Sequence, residues 1–229
     1  MAGLLIGPAA EAACRQALAL GLDVSGSVDL QEYRLQIDGL VSALNDPEVR
    51  DKLLARPSAP VHLMVYEWSG SADQSILVPW TAITDERTLK AISRTLAQTE
   101  RREAAPGTAL GLAMQKGADF LDQKRDCWKR TLDISGDGKS NLGPQPEHVK
   151  PRMDRDGITV NALVIGSDSP ASGDRRQTEI SELSSYFRTE VIAGPDAFVQ
   201  TALGFADYAA AMTLKLKKEL DGLVIGARQ

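Results

Sequence analysis

Histidine and cysteine are scarce in this chain of 229 residues, which has two of each: His62, His148, Cys14 and Cys127. Closed zinc sites and iron–sulfur clusters draw their ligands mainly from these residue types. Two histidines and two cysteines are too few for the common closed zinc sites or for an iron–sulfur cluster, unless several carboxylates also serve as ligands. Any metal in this protein is therefore expected to be held by oxygen ligands.

The sequence also lacks a long apolar run and a basic stripe. A membrane-spanning helix needs about 18 or more consecutive apolar residues, and the longest candidate, around residues 4–6, is far shorter. The 26 Lys and Arg residues are dispersed and are outnumbered by 31 Asp and Glu, which gives a formal net charge of −5. Because nucleic-acid-binding proteins concentrate basic residues on one face, we expect neither a membrane span nor a nucleic-acid partner.

The N-terminal residues partly match the end of a secretory signal. A short apolar patch precedes Ala10, Glu11 and Ala12, a small-x-small pattern found at signal cleavage sites. However, no Lys or Arg precedes Arg15, and the apolar patch is about half the usual length. We therefore interpret residues 1–13 as an incomplete signal-like segment. The alternative is an alanine-rich terminus with no role in targeting.

Apolar runs alternate with amphipathic stretches along the whole chain, and 43% of its residues are apolar. This alternation predicts one α/β domain over residues 14–221, followed by a tail over 222–229. The predicted strands are 16–23, 61–68, 75–79, 130–135, 158–165 and 189–193. The predicted helices are 29–44, 47–54, 86–98, 108–123, 146–155, 177–187 and a final helix from its cap at Asp196 to about 220. We expect a doubly wound, mostly parallel six-stranded sheet with one antiparallel edge strand and helices on both faces.

Oxygen-bearing side chains follow two of the predicted strands. The strand over 16–23 ends in Asp23, and Ser25 and Ser27 follow at alternate positions. The strand over 130–135 is followed by Asp137, and Thr108 comes from the loop before the fourth predicted helix. Ligands of doubly wound sheets bind at the carboxyl ends of the strands. If these two strands are central neighbours, their hard oxygen donors meet there and suit Mg²⁺ or Mn²⁺.

These residues resemble the metal-ion-dependent adhesion site (MIDAS) of the von Willebrand factor A-type domain. That site combines an Asp-x-Ser-x-Ser run after the first strand, a threonine from a later loop and an aspartate in an Asp-Gly turn after the fourth strand. The resemblance covers nearly the whole chain and implies a Rossmann-like von Willebrand A fold. It also implies the following ligand set: hydroxyls of Ser25, Ser27 and Thr108, with Asp23 and Asp137 bound directly or through water.

Other segments are similar to a bacterial exported subfamily of these domains whose function is unknown. They are residues 66–69 (Tyr-Glu-Trp-Ser), Pro79 with Trp80, residues 133–138 (Asp-Ile-Ser-Gly-Asp-Gly) and residues 194–198. The subfamily has a pair of asparagines after the Asp-Gly turn, where this chain has Ser140 and Asn141. The residues alone leave open whether Asn141, Glu67 or Asp133 contributes to the site. For Asp133, structural pairing with a basic residue fits the sequence as well as a supporting role behind the metal ligands does.

A structural interpretation of the serine-rich run also stays open, because Asp29 or Ser27 could cap the first turn of the following helix. With a metal bound, the leading function is an adhesion-type binding module. Two acids and three neutral hydroxyls would leave the cation able to take an Asp or Glu of a protein, or another acidic group, as a further ligand. The alternatives are a metal-dependent hydrolase and a domain in which the metal is only structural. Since neither histidine is predicted at the site, we expect no enzyme.

Three loops are expected to rim the site: residues 69–73, 101–107 and 167–175. Four arginines in or beside them would favour an acidic partner surface: Arg101, Arg102, Arg175 and Arg176. The residues indicate neither the identity of the partner nor the oligomeric state.

The two cysteines lie at similar distances before the two acidic strand ends. Cys14 is nine residues before Asp23, and Cys127 is ten before Asp137. If the two strands are parallel neighbours, both sulfur atoms reach the same edge of the sheet, opposite the metal site. We therefore predict a Cys14–Cys127 disulfide and a periplasmic or secreted location. The alternative is two separate buried thiols in a cytosolic protein.

Overall fold

A six-stranded sheet runs through the centre of the protein. The computed structural model describes residues 13–166 and 173–221, without the side chains of residues 173–176. The strands are β1 Gln16–Asp23, β2 Val61–Trp68, β3 Gln74–Ile83, β4 Arg130–Gly136, β5 Thr159–Ile165 and β6 Val199–Ala202. Their order is β3-β2-β1-β4-β5-β6; β3 is antiparallel to β2, and the other neighbouring pairs are parallel. The predicted fold class is thereby confirmed.

Helices cover both faces of this sheet. They are α1 Leu30–Asn45, α2 Pro47–Leu54, α3 Glu86–Ala97, α4 Leu110–Leu121, α5 Pro146–Asp156, α6 Gly173–Tyr186 and α7 Tyr208–Asp221. Every side chain of β1 is buried, as expected for a parallel strand between two helical layers. Because successive side chains point to opposite faces, Leu18 and Leu20 pack with α1 and α7, whereas Ala17 and Ala19 pack with α4 and α5.

None of the helices in the described part of the chain is long and apolar enough to cross a membrane.

Local signals set several helix ends. At the start of α1, Asp29 accepts a hydrogen bond from the Glu32 amide while the Glu32 side chain accepts one from the Asp29 amide, which is a capping box. Asp46 caps α2, which has Pro47 at its first position, and Asp85 caps α3. Because these signals act within one helical turn, the first three predicted helices agree closely with the structure.

The predicted strand over 189–193 is wrong. Residues Phe187–Val191 form a π-helical turn that continues α6, and Ala193 makes only an isolated bridge with Val160. Phe187 and Val191 are both fully buried, and a helical turn places them on one side against the core. A short apolar run does not distinguish strand from helix by its own periodicity, so packing decides here.

The predicted start of the final helix at Asp196 is also wrong, whereas its predicted end near residue 220 agrees with α7. Asp196 has a φ of 59°, whereas a residue that caps a helix start usually has an extended backbone. The chain next forms β6 beside β5, and α7 begins only at Tyr208. β6 pairs with an edge of β5 that would otherwise be open, and that pairing is not visible in the local pattern.

β3 is longer than the predicted strand over 75–79. It continues through Pro79 to Ile83. Proline is tolerated because β3 is an edge strand and its pairing with β2 is irregular between Leu63 and Tyr66.

A disulfide links the segments that enter β1 and β4. Cys14 and Cys127 are bonded, their Cα atoms are 4.4 Å apart, and both side chains are buried. Ala17 of β1 lies opposite Arg130 of β4, so the chain segments just before these residues are adjacent. The structure therefore contains the predicted bond rather than two separate thiols.

Candidate metal centre

The candidate ligands lie where β1 and β4 end at one edge of the sheet. The two strands are parallel neighbours with Leu22 opposite Ser135. Asp23 is the last residue of β1, and Asp137 directly follows β4. A Cβ atom on Gly136 would lie 3.4 Å from Asp23 Oδ2 and 3.3 Å from the Phe187 ring. Glycine therefore leaves this oxygen uncrowded between the two strand ends.

Hydrogen bonds connect the five predicted ligands. The Ser25 amide donates to Asp23 Oδ1 over 2.8 Å, and Ser25 Oγ lies 3.2 Å from Ser27 Oγ. The Ser27 hydroxyl donates to Asp137 Oδ1 over 2.8 Å, and the Thr108 hydroxyl donates to Ser25 Oγ over 3.4 Å. Three separate parts of the chain thus bring these oxygen atoms into one cluster.

The capping interpretation of the serine-rich run applies to Asp29 and not to Ser27. The Asp29 carboxylate caps α1, whereas the Ser27 hydroxyl is hydrogen-bonded to Asp137. The Asp-x-Ser-x-Ser segment is therefore separate from the cap that follows it.

Burial makes this cluster electrostatically unbalanced. Asp23 and Ser25 are fully buried, and Asp23 Oδ2 has no hydrogen-bond partner among the described residues. Burial and, next, the neighbouring Asp137 carboxylate raise the pKa of Asp23 to about 8; burial also raises the pKa of Asp137. A buried carboxyl oxygen without a partner is costly. A cation beside it would remove that cost.

The donor set fits a hard divalent cation that is held by few acids. Over residues 13–166 and 173–221, no three or more His, Cys, Asp or Glu side chains form a potential metal-binding group. This centre has two carboxylates, and hydroxyls supply its other donors. Such oxygen donors suit hard divalent cations. Two carboxylates balance a 2+ charge without exceeding it, so a further acidic ligand is compatible with the site.

Two amide side chains support the centre from behind. The Asn141 side-chain oxygen Oδ1 accepts a hydrogen bond from the Thr108 backbone amide over 2.9 Å. The Thr108 carbonyl accepts one from the Asn141 backbone amide over 3.0 Å. The Gln36 side chain, buried in α1, donates to the Asp23 carbonyl over 3.0 Å. Asn141 thus holds the backbone at Thr108. Gln36 was not predicted; its signal is a polar residue on the apolar face of α1, three positions after Tyr33.

Asp133 and Glu67 have partners of their own. Asp133 Oδ2 on β4 lies 2.6 Å from Lys215 Nζ on α7, and the same ammonium lies 2.6 Å from Glu219 Oε1 on α7. All three side chains are buried. The structural pairing considered for Asp133 is therefore present. Glu67, at the end of β2, accepts a 2.6 Å hydrogen bond from the Tyr33 hydroxyl.

The histidines lie away from this edge. His62 lies opposite Ala17 near the start of β1, at the far edge of the sheet from Asp23. His148 lies on α5 with its side chain 70% exposed. The structure therefore brings neither imidazole to the candidate ligands.

The predicted rim loops differ in what the structure describes. Residues 69–73 and 101–107 contact each other beside Thr108, whereas residues 167–172 and the side chains of Arg175 and Arg176 lie outside the description. Arg101 and Arg102 were expected to attract an acidic partner. Arg101 donates to the Val28 carbonyl over 2.9 Å, and Arg102, which is exposed, pairs with Asp73 over 3.3 Å. The attraction of an acidic partner by these arginines stays a prediction.

The family of the chain follows from its sequence. Residues 13–224 match the family model described as "Protein of unknown function (DUF1194)". The chain belongs to this family. No curated protein sequence matches it.

Solved structures share the fold of this DUF1194 chain. One is proximal thread matrix protein 1 from the mussel byssus, in a structure with a zinc-occupied MIDAS motif. It is 13% identical in sequence with a TM-score of 0.62, and the match covers 92% of this chain and 47% of the mussel protein. The pilus adhesin SpaC from Lactobacillus rhamnosus GG is 12% identical at a TM-score of 0.64, with 92% and 31% covered. A von Willebrand factor type A structure from Catenulispora acidiphila is 14% identical at a TM-score of 0.56, with 92% and 43% covered.

These likenesses establish the fold. The DUF1194 chain has the von Willebrand A fold, as its resemblance implied. It spans about half the length of the mussel protein and less of the two bacterial ones.

Proposed function

We propose that this protein is a divalent-metal-dependent binding module of the adhesion type that recognises an acidic group on its partner. The observation that carries the proposal is the buried Asp23 Oδ2, which has no protein partner within the described residues and lies in a cluster of hydroxyl donors. A protein that leaves a buried carboxyl oxygen unpaired loses stability, and a resident cation explains why this one is kept.

The proposed ion is Mg²⁺, with Mn²⁺ as the alternative. Ser25, Ser27 and Thr108 would hold it through their hydroxyls, and Asp23 and Asp137 would bind it directly or through water. Both ions take octahedral oxygen coordination and keep part of their water shell. The bound ion would supply positive charge and a coordination position that a protein carboxylate can fill.

An acidic partner follows from the coordination position that this set leaves open. Two carboxylates and three hydroxyls, each binding through one oxygen, would fill at most five of the six positions of an octahedral cation, and Ser27 is exposed at the edge of the sheet. An Asp or Glu of a partner protein, or another acidic ligand, would therefore complete the coordination. The fold neighbours include a protein named as a pilus adhesin and another named as a thread matrix protein, in keeping with a binding role.

We further propose that the protein works in the periplasm or outside the cell. The support is the Cys14–Cys127 disulfide, because such bonds persist in oxidising compartments and are rare in the cytosol.

Metal binding is tested by calorimetric titration of chelator-stripped protein with MgCl₂ and with MnCl₂. Asp23→Ala should abolish binding, and Thr108→Ala should weaken it because one oxygen donor is lost. Thr108→Ser keeps the hydroxyl and should bind nearly as the wild type does. Asp126→Ala is the charge-matched control, since Asp126 is exposed beside the disulfide at the opposite edge. Equal affinity in Asp23→Ala and the wild type would reject the ligand set.

Partner recognition is tested with immobilised protein and a partner first isolated by pull-down from periplasmic extract. Capture should require Mg²⁺, should be lost with chelator and in Thr108→Ala, and should depend on an Asp or Glu of the partner. Capture that is equal in all three conditions would favour a metal that only stabilises the fold. Metal-dependent turnover of a phosphate or ester substrate would favour the hydrolase.

A further inference from the structure

A segment that touches the sheet edge carries Thr108 into the candidate metal centre. We call residues 100–109, between α3 and α4, the strap. The strap has no regular secondary structure, so contacts with its neighbours must fix where the Thr108 hydroxyl lies. Residues 69–73, the β2–β3 turn, supply part of those contacts, and Asn141 and the serine-rich loop supply others.

The β2–β3 turn holds the strap on both sides of Thr108. The Asp73 carboxylate accepts from the Ala105 amide through Oδ2 over 2.7 Å. The Ser69 carbonyl accepts from the Ala109 amide over 2.8 Å. Ser69 also donates its hydroxyl to Asp73 Oδ2 over 3.0 Å, which joins the two attachment points into one unit. Thr108 therefore lies between two bonds to the same turn.

Arg102 of the strap links Asp73 to the protein core. Its guanidinium lies 3.3 Å from Asp73 Oδ1 and 3.4 Å from Glu67 Oε2. Glu67 is 1% exposed and is also bonded to the Tyr33 hydroxyl of α1. Asp73 is thus oriented by a chain of polar contacts that begins in the buried layer, and the hydrogen bond from the Ala105 amide holds its pKa below the usual range.

The strap is also tied to the serine-rich loop. The Gly26 amide, between Ser25 and Ser27, donates to the Pro106 carbonyl over 3.1 Å. The strap and the turn are in close contact, since a Cβ on Gly70 would lie 2.7 Å from Ala105 Cβ. A displacement of the strap would therefore change the separation of Thr108 Oγ1 from Ser25 Oγ, which is 3.4 Å.

We propose that Asp73 is a positioning residue of the metal centre: by holding the strap it sets the Thr108 hydroxyl at the distance that the cation requires, without binding the cation itself. This inference rests on the proposed function for its effect on metal affinity. Its effect on the strap is independent of that function, because every contact named above exists between protein atoms alone. Supporting residues behind metal ligands typically contribute 10-fold to 100-fold in affinity.

The experiment compares Asp73→Ala, Asp73→Asn and Asp126→Ala with the wild type. Calorimetry with MnCl₂ and MgCl₂ should show affinity about 10-fold lower in Asp73→Ala. Asp73→Asn should keep most of the affinity that Asp73→Ala loses, because the amide oxygen of asparagine can still accept hydrogen bonds from Ala105 and Ser69. Asp126→Ala should match the wild type. Circular dichroism and thermal melts check that each variant is folded.

Amide hydrogen exchange in chelator-treated protein gives the second measurement. In Asp73→Ala the Thr108 and Ala109 amides keep their own acceptors, Asn141 Oδ1 and the Ser69 carbonyl. They should nevertheless exchange faster, because the strap has lost one of the two hydrogen bonds that its backbone amides donate to the β2–β3 turn. Exchange at wild-type rates at both amides would overturn the inference, whether or not the metal binds. A wild type that binds neither ion would reject the proposed function instead, and the exchange comparison would still decide the role of Asp73.

Discussion

At the scale of single residues, two buried aspartates show how depth in the sheet decides what a carboxylate does. Asp23 ends β1 at the edge, where hydroxyls surround it and one of its oxygens lacks a protein partner among the described residues. Asp133 lies inside β4 and is paired with Lys215. A carboxylate at the edge can take a ligand from solvent, whereas one beneath α7 can only be balanced by the protein's own charges.

The burial of Asp133 predicts a pH dependence of stability. Burial, opposed by Lys215 and reinforced by Glu219, raises the pKa of Asp133 to about 7. In the unfolded chain this pKa is about 3.9, so between these values the folded protein holds a proton that the unfolded chain has released. The stability that Asp133 contributes is therefore fully present below pH 4 and is lost as the pH rises towards 7.

Asp133→Asn should remove this dependence, because an amide does not titrate. The free energy of unfolding in urea, measured with chelator at pH 5 and pH 7.5, should fall more in the wild type than in the variant; each unit of pKa difference corresponds to about 1.4 kcal/mol. Lys215, Glu219 and Asn161, the polar neighbours of residue 133, are present in both proteins. Parallel pH profiles would contradict the assignment of this proton to Asp133.

At the scale of elements, the close packing of α1 on α7 depends on one small residue. A Cβ on Gly39 of α1 would lie 2.8 Å from the Tyr208 ring and 3.1 Å from the Ala209 backbone nitrogen at the start of α7. Tyr208 is fully buried, so its ring has little room to move. The glycine is therefore needed for the contact, although glycine weakens a helix interior.

Gly39→Ala should destabilise the protein in spite of the better helix propensity of alanine. Overpacking costs about 1–3 kcal/mol, and the gain in propensity is about 1 kcal/mol, so we expect a net loss of about 1 kcal/mol. Urea unfolding measures it. Gly138→Ala is the control: its Cβ would meet nothing within 4 Å, and its stability should be nearly unchanged. An equal effect of both substitutions would contradict the packing argument.

At the scale of the whole molecule, the two ends of the central strands β1 and β4 have different roles. The carboxyl ends of β1 and β4 carry the candidate metal centre, and the segments entering the same strands carry the disulfide. The bond joins residues 113 positions apart. A crosslink over so long a loop restricts the unfolded chain strongly, and this one lies at the opposite end of β1 and β4 from the candidate ligands.

Replacing both cysteines with serine should therefore lower stability without changing the metal centre. The chain-entropy estimate for a loop of this length is about 4–5 kcal/mol, to be measured by urea unfolding. Metal affinity by calorimetry should stay at the wild-type value. The denatured, unreduced wild type should show no titratable thiol; two thiols per chain would contradict the bond.

Much of this architecture could be predicted from local patterns. The buried run that ends in Asp23 and the one that precedes Asp137 define β1 and β4, because continuous apolar runs bounded by glycine and acidic residues are typical of inner parallel strands. The caps at Asp46 and Asp85 act within one turn and place α2 and α3. The spacing of the cysteines from the strand ends was enough to predict their pairing.

Other features were decided only by tertiary structure, because they depend on contacts between distant segments. Residues 187–191 are helical since Phe187 and Val191 pack together into the core, and β6 forms since β5 needs a partner at its edge. The pairing of Asp133 with Lys215 and the hold of Asp73 on the strap join residues far apart in the chain. The sequence alone determined which oxygen donors could meet at the edge; the packing of the loops decided how closely they meet.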